Sequence, residues 1–119
     1  MREGAMLSAE DGREVLSIQR TDNYWERMRG LLGRSVPAKG HGLLISPCGS
    51  VHTFGMRYAI DVWYLDKTWQ VIKLRQGLKP SRVDFAHGAR HVVELAAGEA
   101  LRLGLNRIKH VVWVDKESL

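Results

Sequence analysis

The sequence predicts a mainly β (α+β) chain: a small curled sheet or partly closed β-barrel, with one helix in its N-terminal half and one short helix later. Three observations carry this expectation. From Gly42 onward the apolar pattern changes to a period of two, the spacing of strands. Ile60 to Leu65 and Gln70 to Arg75 are rich in β-branched and aromatic residues and flank Asp66-Lys67-Thr68-Trp69, which reads as a β-hairpin with a short loop. A helical period is carried by Trp25, Met28 and Leu32.

Taken in order, residues 1 to 13 read as a polar lead-in with a turn at Asp11-Gly12. Val15 to Ile18 forms a first short strand. Thr21, Asp22 and Asn23 each offer an N-cap for the helix that follows, and Arg27, Arg29 and Arg34 favour its C-terminal end. Gly33 suits a left-handed cap, and the Trp25, Met28, Leu32 stripe is expected in the core. Leu43 to Ser46 is a strand, followed by the hairpin. Arg90 to Leu95 is another strand, Gly98 to Leu105 makes one or two helical turns, and Ile108 to Val114 closes the sheet. Residues 115 to 119 are expected to fray. The whole of 1–119 reads as one domain.

Composition bounds the function classes. Of 119 residues, 45% are apolar and 26% charged, enough for a core without staples. The longest apolar runs, Leu43-Leu44-Ile45 and Val111-Val112-Trp113-Val114, are too short to span a membrane. No sustained apolar segment follows Met1-Arg2-Glu3, so no signal peptide is read, and the lone Cys48 fits a reducing compartment. A cytoplasmic location is the expectation. The net charge of +5 would attract anions, yet the basic residues are scattered, so nucleic acid is not indicated. Phosphate-loop, dinucleotide, His-Glu-x-x-His and Gly-x-Ser-x-Gly motifs are all absent, and no cofactor is expected.

The segment from Pro47 to Arg57 concentrates chemistry between two apolar strands: Cys48, Ser50, His52, Thr53 and Arg57, with Gly49 and Gly55 permitting sharp backbone. Cys48 and His52 would suit a nucleophile and its base. They would also suit a metal site completed by His87 and His91, although neither spacing is that of a structural zinc site. The plainer alternative makes Cys48 a small buried hydrophobe and His52 a turn residue. Asp61 stands among apolar neighbours, where an unpaired carboxylate costs several kcal/mol. The nearest donors in sequence are His52 and Arg57, so the expectation is that one of them reaches it. Lys79, Arg82 and Arg90 would build an anion pocket with Arg57 if they converge, and Glu94 is expected to pair with a basic side chain.

Several segments, in order, resemble a prokaryotic family known as domain of unknown function 192. They are Arg29-Gly30-Leu31-Leu32-Gly33-Arg34, Gly42-Leu43-Leu44-Ile45, Pro47-Cys48, His52-Thr53-Phe54-Gly55-Met56-Arg57, Ile60-Asp61-Val62, Leu78-Lys79-Pro80, Gly88-Ala89-Arg90 and Val93-Glu94-Leu95. The likeness runs from about residue 15 to 114 and implies a compact, mainly β domain with no established activity. Some members carry an export signal; none is read in this sequence, in line with the cytoplasmic expectation. Trp69 stands where the family usually has Gly in the hairpin loop, so a different turn is expected. Ile108-Lys109 replaces the family's Gly-Asp before the last strand, which removes an acidic role there.

The resulting expectation is a non-catalytic module that binds a small anionic ligand or acidic peptide, using Cys48, His52, Thr53, Arg57, Asp61, Lys79, Arg82 and Arg90. The first alternative is a hydrolase or transferase dependent on Cys48 and His52 or on a metal. The second is a structural or assembly subunit whose basic face docks on a larger partner, which an exposed Trp63 or Trp69 in a contiguous apolar patch would favour.

Overall fold

Strand pairing begins almost at the first residue. The computed structural model describes residues 1–118, and in it Arg2–Ser8 forms β1, which pairs antiparallel with β2 (Glu14–Arg20). Together they form a hairpin across the Asp11-Gly12 turn. This corrects the polar lead-in: charged residues at its start hide a strand whose Ala5 and Met6 are buried. The chain continues through α1 (Tyr24–Arg29), β3 (His41–Ile45), β4 (Ser50–His52), β5 (Ile60–Leu65), β6 (Val71–Leu78), β7 (Val83–Phe85), β8 (His91–Ala96), α2 (Glu99–Arg102) and β9 (Val111–Asp115).

Seven strands make one curled sheet in the order β6-β5-β8-β3-β2-β1-β9, while β4 and β7 form a separate ribbon. Among the described residues only β2 and β3 run parallel, and the intervening chain supplies their crossover. The two sheet edges meet at one corner. Gln70 bridges His110, Val71 N–H donates to the Lys109 carbonyl (2.8 Å), and Val111 N–H donates to the Trp69 carbonyl (3.1 Å). The sheet is therefore a partly closed barrel, and the mainly β class read from the sequence holds. Among the described residues no helix is long and apolar enough to cross a membrane.

The central strands are covered on both faces, which is why they read as continuous apolar runs. Every residue of β5 is buried. Alternation along the strands sends Leu44, Trp63, Leu65, Val93 and Leu95 to the barrel interior, together with Met6, Ala100 and Leu105. Leu43, Ile45, Val62, Tyr64 and Val92 face outward, beneath Leu31, Cys48, Met56 and Tyr58 of the covering loops. Tyr64 ties the ribbon down: its hydroxyl donates to Asp84 Oδ2 (2.7 Å), and Lys73 Nζ donates to Asp84 Oδ1 (3.1 Å).

Two local expectations are overturned. The helix is shorter than its apolar stripe, being capped by the Asn23 side chain, which accepts from Glu26 N–H (3.0 Å), and ending at Gly30. Trp25 and Met28 are exposed and Leu32 only half-buried. The stripe is not core, because the chain turns at Gly30 and delivers Leu31 to the sheet instead. In the hairpin, Trp69 adopts φ +67°, so the left-handed position is kept and not replaced. A bulky residue there costs about 1 kcal/mol or more. It is offset by stacking on His91, ring centroids 3.6 Å apart and planes within 4°. Arg20 lies over both Trp69 and Trp113. The C-terminal residues 116–118 form a short 3₁₀ turn, with Lys116 Nζ donating to Glu3 (2.9 Å).

Candidate functional site

A small cleft opens on the outer face of the sheet, between α1 and the β4–β7 ribbon. Its floor is Glu94 and its walls include Cys48, Ser50, His52, Gly30 and Leu31, with Arg27, Met28 and Arg29 at the mouth. The volume is about 50 Å³, where one water needs roughly 10–15 Å³. The cleft therefore admits a few non-hydrogen atoms and excludes anything larger.

Glu94 reaches this place through strand register. On β8 it stands opposite Val62 of β5 and Leu43 of β3, so it shares their outward face. It is 3% exposed. The Leu31 N–H is its backbone donor, whereas Oε1 has no hydrogen-bond partner. Burial raises its carboxyl from the ordinary 4.5 to about 7, and the Leu31 N–H opposes that rise. Gly30 makes this arrangement possible. Its φ is +52°, and a Cβ there would lie 2.8 Å from Glu94 Oε1, a contact no larger residue could make without displacement. The expectation that Glu94 pairs with a basic side chain is thus corrected: its donor is the Leu31 backbone N–H, and it stands between Leu43 and Val62.

Cys48 Sγ–H donates to the Ser50 carbonyl (3.0 Å), and burial pushes its thiol above the usual range, with the nearby Glu94 acting in the same sense. His52 stacks on Phe54 at 5.9 Å. Cys48 and His52 both line the cleft. His91 does not join them. Its Nδ1 meets Ser46 Oγ at 2.6 Å, and burial, with Arg20 and Arg90 nearby, lowers its pKa to about 4. His87 is exposed, and among the described residues no three His, Cys, Asp or Glu side chains converge as metal ligands.

Asp61 departs most from expectation. It is fully buried, but its donors are backbone groups: Gly77 N–H to Oδ1 (2.9 Å), and Gly98 and Ala100 N–H to Oδ2 (both 3.0 Å). Neither His52 nor Arg57 contacts it. The reason is parity. Asp61 pairs across the sheet with Leu95 and shares the interior face, whereas the loop from residue 47 to 58 covers the opposite one. Asp61 anchors α2, whose Ala100 is buried in the barrel core.

The remaining candidates separate into two groups. Thr53 is buried and binds the turn at residues 79–82: its hydroxyl donates to the Lys79 carbonyl (2.6 Å) and accepts from Arg82 N–H (2.9 Å). Lys79 and Arg82 are thereby held beside Phe54, though through their backbones. Arg57 lies apart, on a wider groove of about 680 Å³ that also includes Leu32, Val36, Met56 and Tyr58. Arg90 is exposed, and its carbonyl accepts from Cys48 N–H (2.9 Å). A single anion pocket of Arg57, Lys79, Arg82 and Arg90 is not what the loops build.

Sequence reasoning missed Arg27, Arg29, Gly30 and Glu94 as one constellation. The signal was a Gly directly after a basic helix end, together with one acidic residue inside an apolar strand. Trp63 is fully buried and Trp69 half-buried against His91, so neither forms an exposed docking patch; the exposed tryptophan is Trp25.

Comparison with known proteins agrees with the architecture. The model of the family DUF192, described as "Uncharacterized ACR", matches residues 6–113. No curated protein matches the chain. A crystal structure from Sinorhizobium meliloti 1021, provisionally described as a transcription regulator, aligns with TM-score 0.76 at 18% identity, covering 99% of this chain and 95% of that one. A protein of unknown function from Novosphingobium aromaticivorans DSM 12444 aligns with TM-score 0.77 at 17% identity, covering 93% of this chain and 84% of that one. At these identities the likeness concerns the fold.

Proposed function

This chain belongs to the DUF192 family, and from that premise we propose that it acts as a non-catalytic binding module whose site is the cleft floored by Glu94. The observation that carries this reading is the Glu94 carboxyl lining the cleft, with its Oε1 buried and without a hydrogen-bond partner. A buried acceptor without a partner costs about 1–3 kcal/mol, and a ligand bearing N–H or O–H removes that cost. Arg27 and Arg29 line the same cleft, the Arg29 Nε donating to the Leu32 carbonyl (2.9 Å), and the net charge of +5 favours the approach of anions. The chemistry that fits both levels is a small anion that also carries a hydrogen-bond donor, such as a short 2-hydroxycarboxylate. Its carboxylate would meet a guanidinium and its hydroxyl would reach Glu94.

The thiol favours binding over catalysis. A nucleophilic cysteine needs a lowered pKa and a base that takes its proton. Cys48 instead donates its S–H in a hydrogen bond to the Ser50 carbonyl, and burial favours the protonated thiol.

NMR titration with glycolate, acetate and ethylene glycol tests the reading. Glycolate is expected to shift the amides of Gly30, Leu31, Ser50 and His52, and to bind about ten-fold more tightly than acetate, the worth of one hydrogen bond. Glu94→Leu and Arg27→Ala should each weaken glycolate. Equal affinities for glycolate and acetate, or shifts outside the cleft, would contradict it.

A further inference from the structure

The cleft does not stand alone on its surface. In the ribbon, Ser50 pairs with Phe85 and His52 with Val83, so these four side chains share one face. Val83 and Phe85 are 64% and 66% exposed, and Phe54, stacked on His52, is 53% exposed. Across the cleft, α1 turns Met28 (54%) and Trp25 (75%) to solvent. Met28, Ser50 and His52 all line the cleft, so apolar margins border a polar slot on both sides.

An apolar border around a polar slot is the anatomy of a recognition surface. A small anion filling about 50 Å³ would leave Met28, Val83 and Phe85 uncovered. Charge selects among larger occupants. Arg27 and Arg29 stand at the mouth and Arg82 directly precedes Val83, so an acidic partner is complementary. The slot selects further: a serine or threonine side chain of an extended peptide is small enough to carry a hydroxyl into it, while neighbouring side chains reach the margins.

From this juxtaposition we propose that the cleft and its apolar margins bind an acidic, aromatic-bearing peptide segment of a partner protein. The inference rests on the cleft reading above and names its occupant. A carboxylate of the peptide pairs with Arg27 or Arg29, a donor enters the slot, and apolar side chains lie on Met28 on one side and on Val83 and Phe85 on the other.

The test uses synthetic peptides of about ten residues, enough to span the face. One alternates Asp, Ser and Phe, a second replaces Asp by Lys, and a third replaces Phe by Gly. Fluorescence anisotropy on the full chain should show the first binding at least about ten-fold more tightly than either control. The double variant Val83→Ser/Phe85→Ser changes exposed positions outside the cleft lining. It should lose about ten-fold in peptide affinity and keep its glycolate affinity, and thermal unfolding verifies that it is folded. Glu94→Leu should weaken both ligands.

An unchanged peptide affinity in the double variant overturns the proposal while leaving the cleft reading intact. So does glycolate binding with no discrimination among the peptides. Peptide binding that Glu94→Leu leaves untouched, with no glycolate binding, would instead defeat the cleft reading. Vesicles of phosphatidylglycerol serve as a further arm: binding to them through Val83 and Phe85 without peptide binding would assign this face to a lipid surface and overturn the proposal.

Discussion

Replacing Glu94 with Gln should change the shape of the stability profile against pH, in a direction that two buried residues set. Burial raises the Glu94 carboxyl from 4.5 to about 7. Burial, then Arg20 and Arg90, lowers His91 from 6.5 to about 4. For Glu94 the stabilising contribution is complete below its ordinary pKa, where folded and unfolded chains are both protonated. It is lost as pH rises through the folded value, because the unfolded chain ionises first; the loss is about 3 kcal/mol.

His91 runs the other way. Between about pH 4 and 6.5 the unfolded chain binds a proton that the folded chain does not, so stability grows with pH by a similar amount, about 3 kcal/mol. The two slopes oppose each other between about pH 4.5 and 6.5, and the native chain should be nearly flat there. Glu99, held down to about 2 chiefly by its hydrogen bond with Arg102, contributes above its ordinary 4.5 and loses its contribution in more acidic solution.

Glu94→Gln removes the descending limb. The variant should gain about 1.4 kcal/mol per pH unit up to about pH 6.5 and then level off. Urea unfolding followed by tryptophan fluorescence, with Trp63 fully buried as the reporter, measures both profiles. Parallel profiles for the native chain and the variant would refute the argument, since the buried carboxyl would then be titrating normally.

Three further outcomes are expected. Gly30→Ala puts a Cβ against Glu94 Oε1 at a backbone φ of +52°, and denaturation should show a loss of about 2–4 kcal/mol; a loss below about 1 kcal/mol would mean the loop relaxes freely. Asp61→Ala strips the acceptor from Gly77, Gly98 and Ala100 and should cost about 3 kcal/mol or more, whereas Arg57→Ala should stay within about 0.5 kcal/mol. Reversed magnitudes in chemical denaturation would restore the Asp61–Arg57 pairing expected from sequence. Cys48, with its thiol raised by burial, should react with iodoacetamide at neutral pH about ten-fold or more slowly than free cysteine; equal rates would reopen the nucleophile reading.

Much of the fold was legible because local patterns and packing agree. The Ile60–Leu65 and Val71–Leu78 strands carry β-branched and aromatic residues, and their loop is held by Asp66, whose side chain accepts from Thr68 and Gln70 N–H. β1 was hidden because its first residues are charged and its apolar pair, Ala5 and Met6, is too short to show a period. The Trp25, Met28, Leu32 stripe misled because spacing gives a face without saying which way the face points.

The candidate site was half visible. Cys48 and His52 were found by composition, since a thiol and an imidazole stand out in a Gly-flanked loop. Asp61 drew attention for a sound reason, the cost of a buried carboxylate, yet strand parity sent it to the barrel interior, where amides of α2 and β6 satisfy it. Glu94 sits in the same kind of apolar run, but its parity sends it outward, under a loop that leaves one oxygen unmet. Which acidic residue faces which layer depends on register with β3 and β5, and a single chain read in order does not contain that register.

The central claim is that a ligand meets the unpaired Glu94 oxygen. Carbon-13 labelling of glutamate carboxyls, with the Glu94 signal assigned by its absence in Glu94→Gln, follows that oxygen directly during a glycolate titration. The account predicts that the Glu94 carboxyl resonance moves to saturation with glycolate and that its midpoint, about 7 in the free chain, changes when the ligand is bound. A Glu94 resonance that stays fixed while glycolate saturates the protein would contradict it.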